Sequence, residues 1–284
     1  MLRFSGAGVS HTGLVRDHNE DSAFVGPYVA LVADGVGGAA AGEVASATTA
    51  YVAAATAMAR FGDDAADVVR DLVQRARDCL VAGAAADPRR AGMATTLTSV
   101  VCDGERVVLG HVGDSRAYLL RDGGLRRLSS DHTYVQALLD DGRLAPEAAR
   151  HHPWRNVVLR SLQGAPDEAT AHEPDVTALD LRPGDRLLLC SDGLTDLVDD
   201  HRIAEVLGLR DPHAAAAVLT QAALEAGGTD NVTCVVLDLT QGPRVVGDGR
   251  LLGAVRDISL VVDPGLVRVP AARQSCDGAR TAVR

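Results

Sequence analysis

The sequence predicts an α+β domain from three patterns. Short apolar runs with β-branched residues are typical of buried strands, and several are joined by Asp-Gly pairs, which favour hairpins and antiparallel pairing. Alanine-rich stretches of helical length lie among these runs. The third pattern is an aspartate at the end of a strand, as in Tyr28–Gly38, where the run Val29–Ala33 leads directly into Asp34-Gly35.

The elements follow one another in a simple order. Residues 1–28 predict a strand, a polar loop and a second strand at 22–25. Two helices come next, and Asp63 or Asp64 can cap the second of them. Further along, the chain alternates strands with Asp-Gly turns and ends in a helix and a closing strand. The predicted ranges are 43–60 and 63–86 for the helices, 94–102, 106–112, 115–121 and 179–193 for the strands, 212–227 for the last helix and 232–239 for the last strand.

Two segments differ from this pattern. Residues 130–164 are polar, partly helical (133–141 and 146–151), and carry His132, His151, His152 and Trp154, which predicts a compact surface lid packed by these rings. After residue 240 glycine and arginine become more frequent, and Asp263-Pro264-Gly265 predicts a turn. We therefore expect one domain at 1–240 and a C-terminal appendage at 241–284 that is at best partly ordered.

Bulk composition excludes several classes of partner. The chain has 284 residues, 46% hydrophobic residues and a net charge of −10, which argues against nucleic-acid binding because phosphate contacts require clustered Lys and Arg. No apolar run approaches the ~18–20 residues of a membrane helix, and no signal peptide is evident. The five widely spaced cysteines are typical of free thiols in a reducing cytosol. We expect a cytoplasmic protein and, since no heptad pattern is evident, a monomer.

Acidic residues recur at the ends of the predicted strands. Asp192-Gly193 repeats the pattern of Asp34-Gly35, Asp114 follows the strand at 107–112, and Asp230 precedes the last strand. A carboxylate at the end of a buried strand costs desolvation free energy unless a cation or a hydrogen bond compensates it. Because hard divalent cations take oxygen ligands, the repetition predicts a shared cluster of such cations. An isolated Asp-Gly pair, by contrast, would indicate only a turn.

Seven motifs in order resemble those of the metal-dependent protein phosphatases of type 2C, in their compact bacterial form. The resemblance covers roughly residues 4–239. It implies a four-layer α-β-β-α sandwich of two antiparallel sheets flanked by helices, with a flap insertion at about 130–164. The motifs are G-L-V-R-D-H-N-E-D-S (13–22), V-A-D-G-V-G-G (32–38), G-M-A-T-T-L (92–97), H-V-G-D-S-R-A-Y (111–118), D-H-T (131–133), C-S-D-G-L-T-D (190–196) and G-T-D-N-V-T (228–233).

The resemblance also implies a site with two Mn²⁺ or Mg²⁺ ions and activity on phosphoserine and phosphothreonine in proteins. Asp34 is implied as the ligand that bridges both ions, and the Gly35 carbonyl as a ligand of the second. Asp192 and Asp230 are implied as ligands of the first ion. Two divalent cations that share a hydroxide can aim it at phosphorus, so the chemistry of the residues agrees with this assignment.

Other positions take supporting roles by the same resemblance. Glu20 and Asp21 are implied as direct or water-mediated metal partners, and Arg16 as the residue that holds the phosphate through its guanidinium fork. Asp114 and Asp196, with Asp192, match a weaker third metal site of bacterial members. For Arg16 the alternative is a surface ion pair, and for Asp114 it is structural pairing with Arg116.

One departure leaves the general acid open. Val36 follows Asp34-Gly35 where some members of the family have a histidine. A metal-bound water, His18 or His132 could instead protonate the leaving oxygen. His111, in the middle of a strand, is expected to be a core histidine with satisfied hydrogen bonds.

Three functions are compatible with these residues. The first is a phosphatase that acts on phosphorylated proteins and opposes Ser/Thr kinases. The second is a catalytically weak relative that binds phosphoproteins, which the complete set Asp34, Asp192 and Asp230 disfavours. The third is a phosphatase of anti-sigma-antagonist proteins; such enzymes usually carry sensor domains.

Overall fold

The computed structural model describes residues 1–36, 41–149, 152–164, 173–247 and 249–262, which form strands and helices in alternation. The strands are β1 (Leu2–His11), β2 (Asp21–Val25), β3 (Val29–Val36), β4 (Ala94–Thr95), β5 (Leu97–Cys102), β6 (Val107–Val112), β7 (Arg116–Arg121), β8 (Gly124–Arg127), β9 (Leu162–Gln163), β10 (Asp175–Leu179), β11 (Arg186–Cys190), β12 (Val232–Gln241) and β13 (Arg250–Gly253). The helices are α1 (Gly42–Ala59), α2 (Ala65–Ala86), α3 (Tyr134–Asp140), α4 (Pro146–Ala149), α5 (Asp192–Thr195), α6 (Asp200–Leu207) and α7 (Pro212–Glu225).

The strands form two antiparallel sheets. The first sheet has the order β1-β12-β11-β7-β8, and the second has the order β10-β6-β5-β3-β2-β13. The short strand β4 pairs with the end of β3 and with β9, which brings the end of the flap insertion to that end of the second sheet. In the first sheet β11 and β12, which flank Asp192 and Asp230, are neighbours, and in the second β3 and β6, which lead to Asp34 and Asp114, lie on either side of β5.

Three apolar layers hold the sandwich together. Between the sheets, Val32 and Leu109 belong to the same buried cluster as Leu189 and Val235. Helices α1 and α2 cover the outer face of the second sheet, and α6 and α7 cover the outer face of the first. The four-layer sandwich of antiparallel sheets is thus confirmed.

Most predicted elements are present with small shifts of their ends, but the strand predicted at 179–193 is wrong at both ends. It is β11, Arg186–Cys190, because Pro183-Gly184 forms a turn before it and Asp192 begins α5. The side chain of Asp64 caps α2 by accepting from the backbone N–H groups of Ala66 and Asp67. The sequence did not predict β8, β9, β10, β13 or α6. Strand β10 is largely exposed, so it has no apolar run to mark it. Helix α6 places Ile203, Val206 and Leu207 on one buried face, but eight residues are fewer than the length at which such a pattern predicts a helix.

The domain boundary near residue 240 stays a prediction, but residues 250–262 add to the sandwich. Strand β13 pairs with β2. The N–H groups of Val255 and Val262 donate to Ser22 Oγ and Thr48 Oγ1 at 3.1 and 3.0 Å. Both valines are 1% exposed. The predicted turn at Asp263-Pro264-Gly265 lies outside the described residues.

The cysteines agree with the expectation of free thiols as far as they are described. Four of them, Cys79, Cys102, Cys190 and Cys234, are buried and unpaired, whereas Cys276 lies outside the described residues. Among the helices described, none combines the length and the apolar character that a bilayer crossing requires.

Candidate metal centre

One pocket of about 510 Å³ collects most of the predicted site residues. Its lining includes five carboxylates from separate parts of the chain, together with the guanidinium of Arg16 and the backbone of Gly35. Asp21 and Asp196 are the two predicted residues that do not line it. The seven that do are Arg16, Glu20, Asp34, Gly35, Asp114, Asp192 and Asp230.

Backbone hydrogen bonds fix Asp34 at the end of β3. Its N–H donates to Thr96 Oγ1 at 3.0 Å, and its carbonyl accepts from Thr96 N–H and Thr95 Oγ1, both at 2.8 Å. A Cβ atom on Gly35 would lie 2.4 Å from the Gly42 carbonyl oxygen. Because the two backbone segments approach so closely, only glycine fits at position 35. Gly37 and Gly38 lie outside the described residues.

In the second Asp-Gly pair the glycine again lies against the backbone of another segment. Strand β11 ends at Cys190, and Asp192 begins the short helix α5. A Cβ atom on Gly193 would lie 1.9 Å from the Asn231 carbonyl oxygen, so this turn is pressed against the loop before β12. Asp196 N–H donates to the Asp192 carbonyl at 2.8 Å, one helical turn on.

Asn231 joins the loops of the site, and the sequence prediction assigned it no role. Its Oδ1 accepts from Glu20 N–H at 2.7 Å, and its Nδ2 donates to the carbonyls of Thr12 and His18 at 2.8 and 2.9 Å. It directly follows Asp230, whose Oδ1 accepts from Asn231 N–H. The only signal in the sequence was its place in the motif at 228–233.

Asp21 lies behind the pocket, fully buried and opposite Asp34 in the pairing of β2 with β3. Its Oδ2 accepts from Ser191 Oγ at 2.7 Å, while its Oδ1 is buried without a hydrogen-bond partner. Burial, reinforced by the charge of Asp230, raises the pKa of Asp21 to about 6. A buried carboxylate oxygen without a donor is costly and needs a further partner.

The carboxylates that line the pocket also repel one another. Burial, followed by the charges of Asp21 and Asp192, raises the pKa of Asp34 well above its usual range. The pKa of Asp192 is raised in the same way, first by burial and then by the charge of Asp114. Burial and Asp131 raise the pKa of Asp114 to about 7. The pocket therefore concentrates negative charge that the protein alone compensates poorly.

Arg16 is the one basic side chain among the described residues that line the pocket. Its Nη2 donates to Asp230 Oδ2 at 2.8 Å. Both side chains are partly exposed, at 51% for Arg16 and 33% for Asp230. The ion pair places the guanidinium at the mouth of the acidic pocket.

This donor set fits hard divalent cations. It offers carboxylate oxygens, a nearby backbone carbonyl at Gly35 and the unpartnered Oδ1 of Asp21. Within the described ranges, no three His, Cys, Asp or Glu side chains form a metal-binding group by themselves. Bound cations would therefore complete their coordination with backbone oxygen and water, as Mg²⁺ commonly does.

The two residues predicted for a third metal are in different situations. Asp114 is 7% exposed and lines the pocket. Its predicted alternative partner, Arg116, instead donates to Asp131 at 2.7–3.1 Å, so the pairing of Asp114 with Arg116 is wrong. Asp196 does not line the pocket. Its Oδ2 lies 3.8 Å from Nε of Arg155 in the flap insertion.

Neither candidate histidine for the general acid lines the pocket as far as it is described, whereas Val36 does. His18 lines a separate pocket of about 810 Å³. His132 is 8% exposed and bonded to Gly113. His111 is 1% exposed, with Thr98 Oγ1 and the Ser130 carbonyl as partners, which confirms it as a satisfied core histidine.

The flap insertion contributes residues that the sequence did not indicate. Asn156 and Gln163 line the pocket, and nothing in their spacing marks them. The Trp154 ring lies 5.3 Å from the Tyr134 ring and 6.0 Å from the His152 ring, which agrees with the expected packing role. His151 lies outside the described residues.

Comparison with known proteins shows that the chain is similar to protein phosphatases. The family model described as Protein phosphatase 2C matches residues 11–222. The serine/threonine protein phosphatase PstP of Mycobacterium tuberculosis is 44% identical over 244 residues, which cover 84% of this chain and 45% of that protein. The chain thus spans about half the length of this relative.

Two further matches extend over nearly the whole length of the chain compared, one a second relative and the other the separate catalytic domain of PstP. The serine/threonine phosphatase stp of Listeria monocytogenes is 35% identical over 244 residues, with 82% of this chain and 95% of the relative covered. A crystal structure of the catalytic domain of PstP in complex with two manganese ions is 41% identical. It superposes with a TM-score of 0.78 and covers 85% of this chain and all of that one.

Proposed function

The chain belongs to the protein phosphatase 2C family, and we propose that it is a metal-dependent protein-serine/threonine phosphatase. One observation carries this proposal. Carboxylates from five separate segments line a single pocket, and the guanidinium of Arg16 lies at its mouth. The activity named for PstP and stp is the one that such a pocket would serve.

We assign two Mn²⁺ or Mg²⁺ ions to this pocket. Asp34 would bridge them, the Gly35 carbonyl would bind the second, and Asp192 and Asp230 would bind the first. The manganese ions in the PstP structure support this choice of cofactor. Supporting positions complete the assignment, with Glu20 and Asp21 as direct or water-mediated partners and Asp114 and Asp196 joining Asp192 at a weaker third site.

When bound, such cations supply an activated water, in our proposal a hydroxide shared between the two ions, for attack on phosphorus. The chain's own residues do the rest. Arg16 can keep one nitrogen on Asp230 while its other N–H groups meet the phosphoryl oxygens, because a guanidinium donates from several nitrogens. The hydrogen bonds of the Asp34 backbone N–H and carbonyl with Thr96 and Thr95 fix the backbone from which the carboxylate extends into the pocket.

The substrates would be proteins that carry phosphoserine or phosphothreonine. A pocket about 510 Å³ in volume, open to solvent beside Arg16, can admit a phosphorylated side chain. By this proposal the protein opposes Ser/Thr kinases in the cytoplasm and acts as a monomer. The leaving oxygen would be protonated by water, since no described histidine lines the pocket.

The test is release of phosphate from p-nitrophenyl phosphate and from a phosphothreonine peptide, with Mn²⁺ or with chelator. We expect release only with the cation, and a loss of at least about 100-fold in Asp34→Asn, because replacing even an outer-shell partner of a metal commonly costs 10–100-fold. Asp67→Asn is the matched control, since Asp67 is an exposed acidic residue on α2. Equal turnover in wild type and Asp34→Asn would contradict the proposal.

Calorimetry separates this function from the alternative of a catalytically weak phosphoprotein-binding regulator. Wild-type protein that binds the phosphopeptide but neither takes up Mn²⁺ nor releases phosphate would favour that alternative. Uptake of Mn²⁺ together with turnover would exclude it.

A further inference from the structure

His132 makes two hydrogen bonds with Gly113, the residue before Asp114. Its backbone N–H donates to the Gly113 carbonyl at 2.8 Å, and its Nδ1 accepts from the Gly113 N–H at 3.0 Å. Both polar groups of the Gly113 backbone are therefore satisfied by one residue. The loop that carries Asp114 cannot shift away from His132 without breaking both bonds.

Gly113 is held equally tightly on its other side. Its φ of +109° lies in the region that favours glycine. A Cβ atom there would lie 2.5 Å from Thr96 Cγ2, and Thr96 Oγ1 accepts from the N–H of Asp34. Gly113 thus lies between His132 and Thr96, in contact with both. Thr96 therefore contacts both the backbone of Asp34 and the residue before Asp114.

These contacts also define the tautomer of His132. Because Nδ1 accepts from a backbone N–H, the ring proton must be on Nε2, which lies 3.0 Å from Asp175 Oδ2. Arg160 Nη1 is 2.9 Å from Nε2, but a guanidinium can only donate, and Asp175 Oδ1 is available to it at 3.1 Å. Either tautomer sets one N–H donor against a ring N–H. With the proton on Nε2 that donor is Arg160, whose Nη1 can donate to Asp175 instead, whereas with the proton on Nδ1 it is the fixed backbone N–H of Gly113.

Residues 131 and 132 also make hydrogen bonds on the C-terminal side of Asp114 and at the base of the flap insertion. Asp131 accepts from Arg116, two residues after Asp114. The His132 carbonyl accepts from Leu159 N–H at 2.7 Å, where the chain returns from the flap insertion. The motif Asp131-His132-Thr133 therefore connects the base of the flap insertion to both sides of Asp114.

We infer that His132 is a positioning residue for Asp114, which through Gly113 fixes the direction in which the Asp114 carboxylate faces the pocket. This inference rests on the proposed function, in which Asp114 is a ligand of the weaker third cation. It gives His132 a role other than the general acid considered from the sequence. A neutral ring of fixed tautomer, held by Asp175, is the form that this role requires.

Two substitutions separate the contacts of His132. In His132→Asn the side-chain Oδ1 can take the place of Nδ1 and keep an acceptor for Gly113. In His132→Gln the amide reaches toward the place of Nε2 and leaves the Gly113 N–H without an acceptor. Asp114→Asn is the reference that removes the proposed ligand itself. All are compared as full chains by calorimetric titration with Mn²⁺, after their unfolding temperatures have been measured.

We expect Asp114→Asn to lose the weakest Mn²⁺ site, His132→Gln to weaken it about 10–100-fold, and His132→Asn to stay close to wild type. The rescue by asparagine distinguishes positioning from a merely structural role. Wild-type affinity in His132→Gln, beside a lost site in Asp114→Asn, would overturn the inference. So would an unchanged site in Asp114→Asn. Failure of the phosphatase proposal is distinguishable, since wild type would then release no phosphate with Mn²⁺.

A second readout does not depend on metal or on the variants. In ¹⁵N-labelled, metal-free full chain, the NMR signals of the His132 ring are expected to show a protonated Nε2 and an unprotonated Nδ1. A ring protonated at Nδ1 would overturn the inference even if the variants failed to fold.

Discussion

Asp21 and Asp34 lie directly opposite each other where β2 pairs with β3, so two carboxylates occupy one face of the sheet at the edge of the pocket. Like charges in directly opposite positions destabilise a sheet. Asp21 is fully buried, one of its oxygens lacks a donor, and its pKa is raised to about 6, mainly by burial. The metal-free site therefore carries an unfavourable electrostatic free energy that a bound cation would remove.

The first prediction concerns the metal-free protein. Asp34→Asn should raise its free energy of unfolding by about 0.5–1 kcal/mol, because it removes one of two opposed like charges while the backbone bonds to Thr95 and Thr96 remain. Urea unfolding in the presence of chelator measures the effect. The control Asp67→Asn removes an exposed carboxylate in the first turn of α2 that pairs with Arg70, and it should lower stability by about 0.3–1 kcal/mol, opposite in sign to the effect of Asp34→Asn. Lower stability of Asp34→Asn under these conditions would contradict the prediction.

The second prediction concerns added metal. Mn²⁺ at 100 times its dissociation constant should stabilise wild type by about 2.7 kcal/mol per site, provided the unfolded chain does not bind it. The unfolding temperature should rise by several degrees in a domain of this size. Asp192→Asn should show a much smaller rise, because Asp192 is a proposed ligand of the first ion. An equal rise in both proteins would argue against the pocket as the binding site.

The third prediction tests the close packing of the second Asp-Gly turn. Gly193→Ala should destabilise the protein by about 3 kcal/mol, since the new Cβ would lie 1.9 Å from the Asn231 carbonyl oxygen and the backbone must move. Gly124→Ala is the control, because its Cβ would meet only ordinary contact at 3.4 Å. Midpoints of urea unfolding compare the two, and similar midpoints would refute the prediction.

Much of this fold could be predicted because its signals are local. Apolar runs, Asp-Gly hairpins and helix caps such as Asp64 depend on neighbouring residues, and they fix strands and helices directly. The acidic residues of the pocket could also be predicted, because an aspartate at a strand end has few other uses when it recurs. The glycines at 35 and 193 follow the same logic, since each removes a side chain where another segment must pass.

What could not be predicted depends on contacts between distant segments. Asn231 bonds to residues more than 200 positions away, and an asparagine in a turn has the same local signature without those bonds. Asn156 and Gln163 line the pocket only because β9 pairs with β4. Residues 250–262 have their apolar residues only in runs of one to three, interrupted by Gly253, by Arg256-Asp257 and by Ser259. No run is long enough to predict a strand, and β13 forms because the edge of β2 is available.

The fourth prediction follows from Asn231. Asn231→Ala should cost about 2–3 kcal/mol, since it leaves the N–H of Glu20 and the carbonyls of Thr12 and His18 without partners. Because the freed loop also carries Arg16, KM for a phosphopeptide should rise more than kcat falls. Hydrogen exchange in residues 12–20 should accelerate. Gln74→Ala, an exposed amide on α2, is the control; slow exchange retained in the variant would disprove the role.

The fifth prediction concerns the segment beyond β12. A chain truncated after Leu239 should be less stable than one truncated after Val262 by about 4 kcal/mol or more, because residues 250–262 bury Leu252, Val255 and Val262, each worth about 1.5–3 kcal/mol. The shorter chain also exposes the edge of β2, which favours aggregation.

Urea unfolding of both truncated chains separates the contribution of residues 250–262 from that of residues 263–284. Val255→Ala in the longer chain is an intermediate case, expected to cost about 2 kcal/mol because it leaves a cavity in the apolar cluster between the second sheet and helices α1 and α2. Equal midpoints for the two truncated chains would mean that the contacts of β13 add nothing to the domain, and the boundary would then fall near residue 240 as first predicted.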